Sequence, residues 1–379
     1  MICSLSNRKS YECLKKFTYF NQASLGLISA SSTKKMTDFL NKIARFGNIY
    51  ISDEDELYLV NKLRKNASIL LGGQTKQTAV LSSASEMLSQ IPYILKPSQK
   101  SKILLIETDF PAVTRPWLQY CKNNNCSVKF IKENPDEDLT YKVISKISTD
   151  TSIIALSLIQ YSTGTKLDVE MISKIAKSKG IKLVIDITQA LGAVPIFADK
   201  WNADFLVSSG YKWLGGHGGV SLAYLNKDIL NINPLNAGWM GAPNPFKMQS
   251  DKCSYFRNAK RYTQSTMSYV SIVGLEKSIQ EIIKLNPLKI ENHSKKLSKY
   301  FMKKIDKNKW QIYHNKKSIN KSFHIISFKP NSKDLEPIKV FKKLKKKNII
   351  CSLRDNKLRL SIAHFNNQED INHLLEILN

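Results

Sequence analysis

VIDITQALGAVPIFADKWNADFLVSSGYKWLGGHGG, residues 184–219, contains two short apolar runs that each stop at polar residues. The first ends in Asp186, with Gln189 three residues on. The second, at 205–207, runs into Ser208, Ser209, Gly210, Tyr211 and Lys212. Short β-branched and aliphatic runs bounded in this way read as buried strands. Side by side, they set a carboxylate and a lysine at neighbouring strand ends. Without a ligand, the same pattern is a salt bridge and a glycine turn, which any α/β protein can carry.

Outward from this stretch, candidate strands at 79–82, 102–106, 127–131, 152–157, 182–186, 204–207 and 220–224 alternate with helical patterns. One such helix, 168–179, brings Val169, Ile172, Ile175 and Ala176 to one face. The alternation predicts an α/β fold with a mostly parallel seven-stranded sheet covered by helices on both faces. Ligands of such sheets bind beyond the carboxyl ends of the strands, so polar residues there are the candidates for chemistry. After residue 265 the pattern turns helical, over 268–283 and, beyond Pro287, 290–305. A smaller α+β unit follows, with strands near 323–328, 349–353 and 358–362 and helices at 335–347 and 368–378. The expected division is a large domain over 20–265 and a small one built from 1–19 and 266–379, including the long connecting helix. No internal repeat or low-complexity linker interrupts the chain.

Composition narrows the functional classes. The 379 residues include 58 Lys plus Arg against 31 Asp plus Glu, a net charge of +27, and 42% are hydrophobic. That hydrophobic share supports a substantial core and argues against disorder. No apolar run reaches the roughly 18 residues of a membrane-crossing helix, so no membrane partner is expected. A basic chain invites a nucleic-acid reading, but the excess is rich in Lys, Asn and Ile, the signature of an AT-biased gene. Its densest run, Lys342, Lys343, Lys345, Lys346 and Lys347, shares a helix with Val340, Phe341 and Leu344, the pattern of a solvated face. No nucleic-acid partner is expected. Six scattered cysteines with no C-x-x-C pair point to a reduced, cytoplasmic protein without structural zinc. The opening residues show no secretory pattern.

The strand-end Asp186 and the turn Ser209, Gly210, Tyr211, Lys212, followed by Trp213, resemble class V aminotransferases, which are fold type I pyridoxal-phosphate enzymes. That family includes cysteine desulfurases, kynureninases and isopenicillin N epimerase-like proteins. The resemblance implies pyridoxal 5'-phosphate as cofactor, Lys212 as its Schiff-base lysine and Asp186 facing the pyridine nitrogen. A protonated ring is an electron sink, and the lysine holds the aldehyde and later moves the proton, which explains both residue types. It also implies roles elsewhere. In LSSASEML, residues 81–88, Ser83 and Glu86 have capping-box spacing, and Ala84 and Ser85 would meet the cofactor phosphate. In ETDFPAVTRPW, residues 107–117, Phe110 stands where desulfurases stack a His on the ring. A phenyl ring stacks but does not titrate, so proton traffic falls to Lys212. In LIQYSTGTKLD, residues 158–168, Gln160, Ser162 and Thr163 are expected near the ring oxygen and the substrate. Gln189 is expected to bond the ring hydroxyl, and Ser209 and Tyr211 to reach the phosphate.

Two further segments match outside the sheet. RYTQSTMSY, residues 261–269, resembles the segment that crosses a dimer interface to the neighbouring phosphate. It makes Thr266 a contact in trans and implies a homodimer, although Ser265 replaces the usual glycine. LRLSIAHFNNQEDINHLL, residues 358–375, resembles the segment whose arginine grips the substrate α-carboxylate, here Arg359. YFNQASLG, residues 19–26, matches the family's opening at the active-site mouth and places Asn21 beside the substrate. The resemblance covers residues 17–379. It implies a small amino-acid substrate, with an aminotransferase-like reaction, a C–S or C–C lyase reaction and an epimerisation all open. Desulfuration is disfavoured. It needs a cysteine on a mobile loop, and Cys351 in NIICSL reads as a packed strand residue. A basic, non-catalytic binding protein is the alternative of a different class, and the joint presence of Lys212, Asp186 and Arg359 argues against it.

Overall fold

The central strands form on short, mostly apolar runs, because a sheet covered on both faces has no solvent side. The computed structural model describes residues 1–314, 320–332 and 335–379. After a short strand β1 (Thr18–Tyr19) and helices α1 (Ala30–Phe46) and α2 (Asp53–Leu71), the chain enters its main sheet. The strands are β2 (Thr78–Leu81), β3 (Lys102–Ile106), β4 (Ser127–Ile131), β5 (Thr151–Ser157), β6 (Lys182–Asp186), β7 (Phe205–Ser209) and β8 (Ser221–Leu225). Between them lie α3 (Ala84–Leu95), α4 (Pro111–Asn124), α5 (Leu139–Ser145), α6 (Val169–Ser178) and α7 (Ala198–Trp201). Among the described residues these seven strands form one sheet in the order β2-β8-β7-β6-β5-β3-β4. β8 alone runs opposite to the other six strands. The fold is the expected α/β one, with boundaries shifted by a residue or so.

Alternate residues of each strand feed two apolar layers. Leu104, Leu156, Ile185 and Leu206 pack with apolar residues of α2 and α6 and with α8 (Tyr269–Leu285). Ile103, Ala155, Val184 and Val207 pack on the other side against α3 and α4. Ser157 is in register with Asp186, and Asp186 with Val207. The carboxyl ends of β5, β6 and β7 therefore open onto one place.

The smaller unit begins with α9 (Pro287–Lys304), which starts on Pro287 itself rather than beyond it, since a proline at the first helical position has no needed donor to lose. It continues through β9 (Trp310–Ile312), β10 (Ile325–Pro330), α10 (Pro337–Lys346), β11 (Ile349–Ile350), β12 (Ser352–Arg354), β13 (Lys357–Ser361) and α11 (Gln368–Leu378). An antiparallel sheet of order β12-β13-β10-β9 packs through Phe328, Leu358 and Leu360 on Phe301, Leu344 and Leu374. The single strand expected over 349–353 is split. Residues of β11 pair in parallel with β1, and those of β12 pair with β13, so the chain changes sheets at Cys351.

Two long helices, α1 and α2, lie outside the elements expected from sequence. Both pack on α8, and α2 starts with a capping box between Ser52 and Asp55. Lys342, Lys343, Lys345, Lys346 and Lys347 are exposed while Val340 and Leu344 are buried, so α10 is amphipathic as expected. No helix among the described residues is long and apolar enough to cross a membrane.

The N-terminal segment is fastened to the last helix. Ile2 donates its N–H to Gln368 Oε1 at 3.0 Å, and Arg8 pairs with the buried Asp370 at 2.7 Å while also donating to Phe365 O. Removing one partner of a largely buried pair strands the other charge. Arg8→Ala is therefore expected to lower unfolding free energy by about 2 kcal/mol, read as a reduced denaturation midpoint with unchanged slope in urea.

Candidate active site

Asp186 is the last residue of β6 and Lys212 lies three residues past the end of β7. Both are buried, and they line one cleft with Ala84, Ser85, Phe110, Tyr161, Thr188, Ser209 and Tyr211. Seven of these nine residues are sequence-predicted. Burial pushes the Lys212 amine down to about 8, against the upward pull of Asp186; Arg359 and Arg354 push it further down. Burial raises the Asp186 carboxyl, opposed by hydrogen bonds from Thr188 and by the Lys212 charge. The amine stands 5.1 Å from the centroid of the Phe110 ring and 5.8 Å from that of Tyr211.

The lysine turn is fixed from the N-terminal segment. Gly26 donates its N–H to Tyr211 O at 2.9 Å, and Gln22 Nε2 donates to Lys212 O at 3.0 Å. A Cβ on Gly26 would strike Lys212 O, so only glycine allows this approach. Gly210 is constrained in the same way, since a Cβ there would lie 2.7 Å from Val220 O. Sequence reasoning assigned no role to Gln22 or Gly26, although both lie within the quoted segment 19–26.

Thr188 and Asp109 were also missed. Thr188 N donates to Asp186 Oδ1 at 2.6 Å, and Ser209 N donates to Thr188 Oγ1 at 3.1 Å, tying the two strand ends together. An Asp bonding the amide two residues on is a recognisable Asx turn, and that was the available signal. Asp109 is buried and accepts from Ser157 N at 2.7 Å, Ser157 Oγ at 2.6 Å and Phe110 N at 2.6 Å. Burial pushes its carboxyl up to about 6 despite these bonds. Its contact with Phe110 N sets the backbone that holds the Phe110 ring, whose neighbour is Tyr161 at 5.5 Å in an edge-to-face arrangement.

At the start of α3, Ser83 Oγ accepts from Glu86 N at 3.4 Å. The expected box is only half made, because Glu86 accepts from Ser82 Oγ instead of reaching back to Ser83 N. The amides of Ala84 and Ser85 are left to the cleft that these residues line. Two further expectations need correction. Gln160 is fully buried behind the cleft, its Nε2 3.3 Å from Asp109 Oδ2 and from Ser157 O, and it supports Asp109 rather than lining the site. Thr163 donates to the buried Glu133 at 2.8 Å in a cluster with Thr165, and Ser162 is buried with its backbone O accepting from Ser327 Oγ; neither residue lines the cleft. Gln189 lines it, but its Nε2 donates to Ala23 O at 3.1 Å and its Oε1 accepts from Trp213 Nε1 at 2.8 Å. One N–H of its amide is left for a ring hydroxyl.

On the far side, Arg359 is buried and donates to Ser352 Oγ at 2.9 Å, Tyr161 O at 2.6 Å and Ser24 Oγ at 2.6 Å. Asn21 bridges Ser361 and carries a buried Oδ1 with no partner among the described residues. Thr266 is exposed beside Gln264, Ser265 and Met267, which line a second small cleft with Ser82 and Ser83. Cys351 is buried, and burial raises its thiol to about 12.

The model of the class V aminotransferases (Aminotransferase class-V) matches residues 27–374. The chain belongs to this family. Relatives include a protein of Bacillus subtilis (strain 168) named Uncharacterized aminotransferase YcbU, 21% identical over 97% of this chain and 95% of its own length. A kynureninase of Shouchella clausii (strain KSM-K16) is 23% identical over 95% of this chain and 87% of its own. Among solved structures, a C-DES mutant with glycine covalently linked to its PLP cofactor superposes with TM-score 0.89 at 18% identity, covering 98% of this chain and 99% of that one. The apo cysteine desulfurase of Thermococcus onnurineus NA1 superposes with TM-score 0.87 at 19% identity, covering 98% and 96%. The fold is that of the fold type I enzymes.

The class V family uses pyridoxal 5'-phosphate, and the residues present fit it. The open amides of Ala84 and Ser85 suit a phosphate, the Phe110 ring a stacked heterocycle, the buried Asp186 a protonated ring nitrogen, and the depressed Lys212 amine an aldehyde. A lysine whose folded pKa lies below its unfolded value binds fewer protons in the folded state between about 8 and 10.5. Stability should therefore rise with pH across that window. For the cofactor-free protein, Lys212→Met is expected to be more stable than wild type by roughly 2–3 kcal/mol at pH 7. The gap should close as pH approaches 10.5, the model value for the amine, in denaturation curves compared at each pH.

Proposed function

We propose that the protein is an aminotransferase-like pyridoxal-phosphate enzyme acting on an α-amino acid. The observation that carries this reading is the meeting of a depressed, buried Lys212 amine and a buried Asp186 carboxyl in one cleft, with Arg359 beyond it. Bound there, the cofactor supplies an electron sink for the charge that develops at the substrate Cα. The chain's residues do the rest. Asp186 holds a proton on the ring nitrogen. The Ala84 and Ser85 amides hold the phosphate at the positive end of α3. Phe110 covers one face of the ring, and the remaining Gln189 N–H meets its hydroxyl. Arg359 fixes the substrate carboxylate with a planar, two-pronged guanidinium, and Asn21 Oδ1 offers the substrate a buried acceptor. Lys212 Nζ, neutral in a useful fraction near pH 8, takes the Cα proton and returns it.

A lyase or epimerase reaction of the kynureninase or isopenicillin N epimerase kind is the second reading. Phe110 favours it, because a ring that cannot titrate stands where desulfurases place a His, and kynureninases recur among the relatives. Desulfuration is disfavoured by the Cys351 thiol, which is buried between two short strands and raised to about 12, far from the thiolate that chemistry requires. The active unit is a homodimer in this reading, with Thr266 reaching the partner's phosphate. Its reaction needs neither nucleic acid nor membrane, and its place is the cytoplasm.

Turnover assays with the common amino acids, read as keto acid, ammonia or cleavage product, separate these reactions. Lys212→Ala is expected to abolish turnover and Asp186→Ala to reduce kcat by about 100-fold or more. Near wild-type kcat in the lysine variant would overturn the assignment.

A further inference from the structure

Beside the cleft stand two arginines whose charges both act on Lys212, where one would serve an α-carboxylate. Arg354, the last residue of β12, donates from Nη2 to Ser24 Oγ at 3.3 Å, the same oxygen that receives Arg359 Nη2 at 2.6 Å. A hydroxyl has two lone pairs, so it can hold both, and it brings two like charges within about 6 Å of each other. Among the described residues, every hydrogen bond from these two guanidinium groups ends on a neutral oxygen: Leu353 O, Ser24 Oγ, Ser352 Oγ or Tyr161 O. The nearest acid in sequence, Asp355, stands at the tip of the hairpin, half exposed, with its carboxylate 3.9 Å from Lys357 Nζ. Asp186 is at the cleft floor beneath the lysine, and Glu133 is engaged by Thr108, Thr163 and Thr165.

We infer that Arg354 is a second anion-binding arm of this site and that the substrate is an α-amino acid carrying a carboxylate on its side chain. This rests on the reading of the site as one for amino acids. An α-carboxylate on Arg359 neutralises one of the two charges and leaves the other facing it. A side-chain carboxylate on Arg354 neutralises the second, whereas an apolar side chain would desolvate that guanidinium with nothing in exchange. Arg354 is only partly buried and Arg359 fully so, which gives the outer arm the reach for a side chain and the inner one the fixed backbone carboxylate. Tyr161 lines the cleft edge-on to Phe110 and its backbone O accepts from Arg359 Nη1, and the charges of both arginines act on the Lys212 amine, so both arms stand beside the cleft that holds Lys212.

The test uses the cofactor-loaded protein and two four-carbon acids that lack an amine and do not react, succinate and butyrate, titrated by calorimetry at constant ionic strength. Wild type is expected to bind succinate at least about tenfold more tightly than butyrate. Arg354→Gln should remove that preference and leave butyrate binding unchanged, while Arg359→Gln should weaken both. Lys343→Gln on the solvated face of α10 should change neither. Equal affinity of wild type for the two acids would overturn the inference. So would a preference that survives Arg354→Gln, which assigns it to diffuse charge. Equal weakening of both acids by Arg354→Gln would overturn it too, because the arginines would then share one carboxylate. The visible absorbance of the loaded protein reports separately on the cofactor. A coloured protein without the preference refutes the role of Arg354 alone, and a colourless one with it refutes the cofactor reading alone.

Discussion

An amine and a carboxyl buried at the ends of adjacent strands constrain everything else in this molecule. Neither Lys212 nor Asp186 would choose that position for stability, since burial opposes charge on both. The surrounding fold makes the placement obligatory. β6 and β7 run parallel and in register, their faces filled by apolar layers, so their ends cannot turn elsewhere. The N-terminal segment closes the arrangement from outside, with Gly26 and Gln22 bonded to the carbonyls of the lysine turn. That segment also pairs with the smaller unit, β1 with β11 and Asn21 with Ser361 at the end of β13, so the lysine turn and the smaller unit are held by one stretch of chain.

Charge is distributed in two distinct ways. The net +27 resides largely on side chains such as those of α10, which are solvated and interchangeable. The cations at the cleft are few and fixed: Lys212 depressed by burial, Arg359 fully buried, and Arg354 tied to the same serine. Arg359 is itself pushed down to about 10, first by burial and then by Arg354. An anion entering the cleft therefore meets groups that are already desolvated and need little reorganisation, the condition under which electrostatic interactions count most.

Much of this was legible in the sequence, and the reasons differ by element. The central strands read clearly because both faces are buried and the apolar runs are unbroken. Lys212 and Asp186 stood out as polar residues ending such runs. β1 has only two residues and owes its existence to β11, a partner more than 300 residues away, so no local pattern marks it. The strand expected over 349–353 looked continuous because a change of sheet leaves apolarity intact. Gln160 and Thr163 are expected at the cleft because 158–168 resembles the family's strand-end loop, yet the direction of the turn sends them to Asp109 and Glu133. Asp109 and Gln22 act through other side chains or distant backbone, and spacing alone does not encode such contacts.

The central claim is that this cleft holds pyridoxal phosphate on Lys212. The most direct measurement is reduction of the purified, cofactor-supplied protein with borohydride, followed by peptide mass mapping. The account predicts a visible absorbance band that disappears on reduction and a single pyridoxyl adduct on Lys212. A protein that stays colourless with added cofactor, or an adduct scattered over the exposed lysines of α10 and elsewhere, would contradict it.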